Sequence, residues 1–224
     1  MSDLEALLRE ALWARQLSGD ELARVRADVF ERSFAAGGYV CRKGERPEHW
    51  HGVVDGLLKM CTVSPAGKAA TFTGLPSGAW FGEGTLLKDE PRKYDLIALR
   101  DSRIAHLPRA TFQWLLARSI PFNRFLLDQL NERLGQFIAM CEIDRLLEPD
   151  ARVARCLATM FHPLLYPGHG RTLKISQEEI GNLAGVSRQR VNQALQQLER
   201  ERLVTIEYGG IRVDDLDRLR QYGA

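Results

Sequence analysis

Cysteine is scarce in this chain: Cys41, Cys61, Cys141 and Cys156 are the only four among 224 residues, and no two form a C-x-x-C pair. With neither a basic stretch nor an apolar one at the N-terminus, this usage reads as a reduced, cytoplasmic protein. No run approaches the ~18 uninterrupted apolar residues of a membrane span, so no membrane insertion is expected. An excess of one charge is missing too, since 31 Lys and Arg stand against 29 Asp and Glu. The signs are mixed along the chain, which excludes a polycation and a disordered segment alike, and any nucleic-acid site must be local. Finally, Glu83 and the histidines His49, His51, His106, His162 and His169 show no nucleophile, acid–base or metal-ligand spacing. Neither catalytic nor metal residues are expected.

What is present divides the chain by texture. Hydrophobic residues make up 45%, enough for a real core. Residues 2–32 carry Leu4, Leu7, Leu8, Leu12, Leu22, Val25 and Val29 at helical spacing, broken near Ser18-Gly19-Asp20, and predict two short helices. From Phe34 to about Leu107, short apolar or alternating runs are punctuated by nine glycines between Gly38 and Gly84. That pattern predicts an antiparallel roll or barrel. After Pro108 the glycines nearly vanish. One helix runs to a break at Ile120-Pro121, and a longer one follows through Leu147.

On that longer helix Leu127, Leu130, Leu134, Phe137 and Cys141 alternate steps of three and four, the seam of a coiled coil. Phe125, Leu126 and Ile138 widen the apolar face, as expected of a helix that serves both its own domain and a twin. Glu148-Pro149-Asp150 reads as a hinge, with Asp150 available to cap a helix over 151–165. The expected domains are 1–120, 121–147 and 148–224, in an α+β fold. The last has eleven Lys and Arg against eight acids, counted from residue 151.

Ser176-Gln177-Glu178-Glu179 is an S-x-x-E capping box that starts a helix. Ala184-Gly185-Val186 ends it, and Ser187 can cap a second one from Arg188 to about Arg202. This is a helix-turn-helix. With Val191, Ala194, Leu195 and Leu198 inward, Gln189, Gln193 and Gln196 turn outward, flanked by Arg188, Arg190 and Asn192. No acid interrupts 186–198. Gln and Asn pair bidentately with adenine and Arg with guanine, so Arg188, Gln189, Gln193 and Asn192 are expected to contact bases. Residues 203–213 read as a two-stranded wing. Arg190, Ser176, Lys174 and Arg212 are expected to contact phosphate. A winged domain that touches another protein, with no direct DNA recognition, is the alternative.

The chain resembles the Crp/Fnr superfamily of bacterial transcription regulators, similar to the cyclic-AMP receptor protein. The likeness rests on Gly78-Ala79-Trp80-Phe81-Gly82-Glu83 with Leu86-Leu87, on the long helix after Pro121, and on Ile180-Gly181-Asn182 with Val186-Ser187-Arg188. It implies an N-terminal double-stranded β-roll of the cyclic-nucleotide-binding jelly-roll type, a long dimerisation helix and a C-terminal winged helix-turn-helix. It also implies a homodimer on palindromic double-stranded DNA and control by an effector in the roll. RNA polymerase contact falls on the loop Pro167–Gly170. In nucleotide-binding members a Gly-Glu holds the ribose, an Arg-Ser about ten residues later holds the phosphate, and a Thr-Ser on the long helix meets the base. Gly82 and Glu83 match. By spacing the Arg-Ser position is Lys93-Tyr94, with Arg92 one step early, and the Thr-Ser position is Phe137-Ile138. This expected effector pocket is wrong for cyclic AMP. An apolar effector, a haem, a cyclic nucleotide if a slipped loop lets Arg92 serve, or no small ligand remains open, and no cofactor is assigned. The iron–sulfur variant carries cysteines near its N-terminus, and none precedes Cys41. Cys141 is left as core packing or a redox switch.

Overall fold

The structure is a computed structural model and describes residues 3–63, 69–146, 148–167 and 170–223. Cys141 lies in a helix whose side chains are outside that description from residue 141 on, as are Gly168 and His169 of the loop expected to meet polymerase.

The chain opens with three helices where two are expected: α1 (Asp3–Glu10), α2 (Leu12–Arg15) and α3 (Gly19–Asp28). An extra break falls at Ala11, which is extended (ψ 120°). Ser18 starts α3 through a complete capping box with Glu21. Two four-stranded antiparallel sheets follow. They are built from β1 (Phe30–Phe34), β2 (Tyr39–Cys41), β3 (His49–Asp55), β4 (Leu57–Val63), β5 (Ala69–Pro76), β6 (Trp80–Phe81), β7 (Asp95–Ala98) and β8 (Ser102–Pro108), with α4 (Glu83–Lys88) between the sixth and seventh strands. The orders are β1-β8-β3-β6 and β2-β7-β4-β5. The sheets close over Val53, Leu58, Leu75, Phe81, Leu96 and Ile104. Strand alternation places these residues inward, and their removal from water holds the roll together.

Helix α5 (Arg109–Arg118) leads to α6 (Ile120–Leu146), which spans 27 residues. Its start packs Phe122, Phe125 and Leu126 against Trp13, Trp50, Trp80 and Phe112 in one aromatic core. Trp13 and Trp80 meet edge-on at 4.9 Å. The last unit comprises α7 (Pro149–Thr159), β9 (Thr172–Lys174), α8 (Gln177–Ala184), α9 (Arg188–Arg200), β10 (Val204–Glu207), β11 (Gly210–Val213) and α10 (Leu216–Arg220). Here α7 is shorter than expected and Asp150 does not cap it. Glu148 is the N-cap residue and Pro149 takes the first helical position, where its missing N–H costs nothing. Strand β9, unforeseen in the sequence, pairs with β11 and makes the wing three-stranded.

This unit is fastened to the roll. Leu57 joins its core, while Leu165 and Tyr166 insert into the core of the roll. The Tyr166 hydroxyl donates to the carbonyl of Gly74 at 3.3 Å.

Candidate nucleic-acid interface and effector cassette

The two helices of the turn are set by local chemistry. The Ser176 hydroxyl accepts from the Glu179 amide, and the Glu179 carboxylate accepts from the Ser176 amide. At Gly185 (φ +66°) the chain turns left-handed, and the Ser187 hydroxyl then caps α9 by accepting from the Arg190 amide. The helices cross at Gly181, where a Cβ would stand 2.8 Å from the carbonyl oxygen of Val186. Burial of Val191, Ala194, Leu195 and Leu198 fixes the rotation of α9 about its axis. As a result Arg188, Gln189, Gln193 and Gln196 are exposed.

The other expected contacts are placed unequally. Arg190 is half-buried: its Nη1 donates to Gln193 Oε1 at 3.1 Å, and its Nη2 lies 3.1 Å from Asp150 Oδ1. It thereby orients the Gln193 amide. Asn192 is turned toward α8, where its Oδ1 accepts from Gln177 Nε2 at 3.1 Å. Lys174 and Ser176 are exposed beside the start of α8. Arg212 is exposed but occupied, with Glu207 at 3.3 Å, Asp214 at 3.4 Å and the Thr205 hydroxyl at 3.0 Å.

Helix α6 shows two faces. Toward the roll it buries Phe122, Phe125, Leu126, Gln129 and Arg133. Away from it, Leu127 (67% exposed), Leu134 (58%) and Ile138 (60%) form an open apolar stripe, with Leu130 half-buried and Phe137 at its edge. The seam is therefore uncovered within one chain.

Of the expected effector pocket, the structure gathers Gly82, Glu83, Arg92 and Tyr94. Of the two candidate cations, Arg92 and not Lys93 is turned toward Gly82. Its Nη1 lies against Gly82 and donates to the Thr85 hydroxyl at 3.4 Å, while Nη2 donates to the His49 carbonyl at 2.8 Å and stands 3.0 Å from His51 Nε2. Among the described residues, no carboxylate forms an ion pair with Arg92. Lys93 points out to Glu90 at 2.7 Å. The Tyr94 phenol is pushed up to about 12, first by burial and then by the Glu83 carboxylate. Phe137 lies against Phe72 (6.5 Å between rings) and, with Arg133, lines a cleft of about 850 Å³ between β5, α6, α7 and the turn of α8 and α9. Ile138 faces outward.

Three polar residues without a sequence-based expectation tie these parts together. Arg133 of α6 donates to Glu83 Oε1 at 3.3 Å and to the Trp80 carbonyl at 2.8 Å, inside the cassette. Arg100, in the turn before β8, grips Glu179 and the Lys174 carbonyl (2.6 Å). His162 Nε2 meets Glu132 at 3.0 Å. His49, His51 and His106 cluster in the first sheet, with ring centroids 4.8 to 6.2 Å apart. Among the described residues no group of three or more His, Cys, Asp or Glu is placed to hold a metal, and no helix is long and apolar enough to cross a membrane. Burial pushes the Cys41 thiol up to about 11 and Cys156 up to about 12, so both stay protonated.

Comparison with known proteins agrees with this architecture. The family model described as a cyclic nucleotide-binding domain matches residues 31–119, and the Crp-like helix-turn-helix domain matches 151–222. The chain is 26% identical over 227 residues to the HTH-type transcriptional regulator Cmr of Mycobacterium tuberculosis, covering 96% of this chain and 89% of that protein. It is 27% identical over 190 residues to the cyclic AMP receptor protein of Thermus thermophilus, covering 85% and 86%. The structure of FixK2 from Bradyrhizobium japonicum superposes with a TM-score of 0.71 at 18% identity, covering 88% of this chain and 98% of that one, a likeness of fold. With a nucleotide-binding-type roll, a long helix and a Crp-like helix-turn-helix in one order, the chain belongs to the Crp/Fnr family of transcription regulators.

Proposed function

We propose that this protein is a cytoplasmic homodimer that binds a palindromic operator and regulates transcription. The observation that carries the reading is the outward face of α9 from Arg188 to Gln196, where guanidinium and amide groups with no acid among them are turned to solvent by the helix's own buried side. In the major groove Arg188 reads a guanine, and Gln189 and Gln193 read adenines, with Asn192 beside them. Lys174 and Ser176 hold the phosphates that flank the groove. Arg190 and Arg212 reach phosphate only by leaving acidic partners, so they contribute less.

The open stripe Leu127, Leu130, Leu134, Phe137 and Ile138 pairs with its copy across a two-fold axis. Half-sites then lie about one helical turn, ~34 Å, apart. The effector differs from cyclic AMP. Its base would meet apolar Phe137 and Ile138, and the residue after Arg92 offers an ammonium in place of a hydroxyl. Contact with RNA polymerase falls to the 167–170 loop.

The test is binding of the full chain to a duplex selected from a random library. A preference over scrambled DNA of about 10³ or more, with affinity falling steeply as salt rises, is expected. Equal binding to both duplexes, or a flat salt response, contradicts the proposal and favours a winged domain that docks on protein.

A further inference from the structure

The acid at the start of α7 reaches toward the outward face of α9. Asp150 does not cap its own helix, and its Oδ1 stands 3.1 Å from Nη2 of Arg190. The other terminal nitrogen of that guanidinium, Nη1, donates to Gln193 Oε1 at 3.1 Å. One planar group therefore spans from the junction of α6 and α7 to the outward face of α9. Its two ends differ in exposure. Gln193 is turned to solvent, whereas Asp150 Oδ1 and Arg190 Nε are closed off from it, and neither atom has a hydrogen-bond partner among the described residues. Charge attraction, not a well-aligned hydrogen bond, holds the guanidinium to Asp150.

This contact gives the Gln193 amide a direction. A glutamine side chain ends in an oxygen that accepts and an NH2 that donates, two groups of nearly equal shape, while a guanidinium can only donate. With Arg190 fixed beside it, Gln193 keeps Oε1 toward Arg190. That leaves Nε2 and the second lone pair of Oε1 for a base edge, an order that matches the N7 acceptor and N6 donor of adenine. Residues three apart on a helix are neighbours, so Arg190 reaches Gln193 unaided, but a long exposed side chain with one anchor keeps most of its rotamer freedom. Asp150 supplies the second anchor. It is itself held in place, because α7 and α9 share one core through Val153, Ala154, Leu157, Val191, Ala194 and Leu195.

We infer that Asp150 is a positioning residue for base reading: through Arg190 it fixes the amide of Gln193 and so sets the preference at the base pair that Gln193 meets. The inference rests on the DNA-binding reading above and deepens it. Asp150 acts through Arg190 and touches no base. Its removal takes away a negative charge and frees Arg190 for phosphate, so non-specific affinity rises while selectivity falls. A pair that only braced α7 against α9 would not move the two in opposite directions.

The experiment measures full-length wild type, Gln193→Ala, Asp150→Asn, Asp150→Ala and Arg190→Ala on the selected operator, on duplexes with each base pair changed in turn, and on a scrambled duplex. Gln193→Ala identifies the base pair that this side chain reads, by losing the preference there. Asp150→Ala should lose about tenfold in discrimination at that same pair and keep wild-type ratios elsewhere, while binding the scrambled duplex about threefold more tightly. Asp150→Asn, which keeps an acceptor but not the charge, should fall between. Arg190→Ala should lose the same discrimination without the gain on scrambled DNA, and Asp150→Ala combined with Arg190→Ala should discriminate no worse than either alone, since the two act in series. Wild-type discrimination at the Gln193 pair in Asp150→Ala overturns the inference. So does a loss spread evenly over all base pairs, the result of a merely structural contact. Failure of wild type to prefer the operator, or a Gln193→Ala protein with the full wild-type pattern, would instead remove the base-reading itself and the inference with it.

Discussion

Arg100 of the roll holds both carboxylate oxygens of Glu179, at 2.8 and 3.0 Å, and Glu179 also closes the capping box of the first helix of the turn. One acidic side chain thus starts α8 and ties it to the sensor domain. The fork-to-fork geometry makes this a well-formed ion pair between the two domains.

Replacing either partner should separate the two roles. Arg100→Ala removes the tie alone and should cost about 1 kcal/mol or less, because the guanidinium is 30% exposed. Glu179→Gln weakens the tie and the cap together and should cost more, about 1–2 kcal/mol. Hydrogen exchange resolves the two: faster exchange confined to the contact between domains for Arg100→Ala, and along the first turn of α8 for Glu179→Gln. Equal exchange in both variants would contradict the division.

The exposed stripe of α6 predicts the oligomeric state. Leu134→Glu places a charge where a twin helix must pack, and should convert a dimer to monomer at micromolar concentration by sedimentation equilibrium. Asp128→Glu, on an exposed position of the same helix, should leave the dimer intact. A wild-type chain that sediments as a monomer would remove the seam from the account.

The histidine cluster predicts sensitivity to acid. Burial, His49, Arg32 and Arg92 together lower His106 to about 4. Burial, then Arg92, His106 and His49, hold His51 well below its ordinary value. His49 is lowered by burial, Arg32 and Arg92, with Glu48 opposing. A depressed histidine binds its proton more weakly in the folded than in the unfolded chain. Stability is therefore complete above the ordinary histidine value of 6.5 and declines as pH falls toward about 4. Unfolding free energies from urea titrations between these limits should drop by about 1.4 kcal/mol per pH unit for each proton taken up. His106→Leu should flatten the profile; an unchanged slope would contradict the assignment.

Periodicity made the large pieces of this fold legible before the structure. Glycine-punctuated alternation marks the roll, the step of three and four marks the seam on α6, and Ser176 with Glu179 marks the start of the turn, because each pattern has a local physical cause. What stayed hidden depends on distant partners. Arg133 and Arg100 carry no signal in the sequence, because their partners Glu83 and Glu179 come beside them only in the folded chain. Asp150 reads as a cap and is instead in an ion pair with Arg190. Counting residues leaves Arg92 and Lys93 as alternatives, and only the folded chain shows that Arg92 stands against Gly82 while Lys93 points out to Glu90. Strand β9 is only three residues long, too short for its single exposed-buried-exposed alternation to stand out in the sequence. Asn192, read as facing DNA, is drawn to Gln177 by a neighbouring helix that no single-helix projection includes.

The central claim is that the outward face of α9 reads bases. It is tested most directly by measuring how wild type and Gln189→Ala bind the selected operator and a set of duplexes in which each base pair is changed in turn. Wild type should lose about 1–3 kcal/mol at each base pair it reads, and Gln189→Ala should become indifferent to one adenine position in each half-site while keeping its other preferences. A Gln189→Ala protein with the full wild-type pattern of preferences would contradict the account.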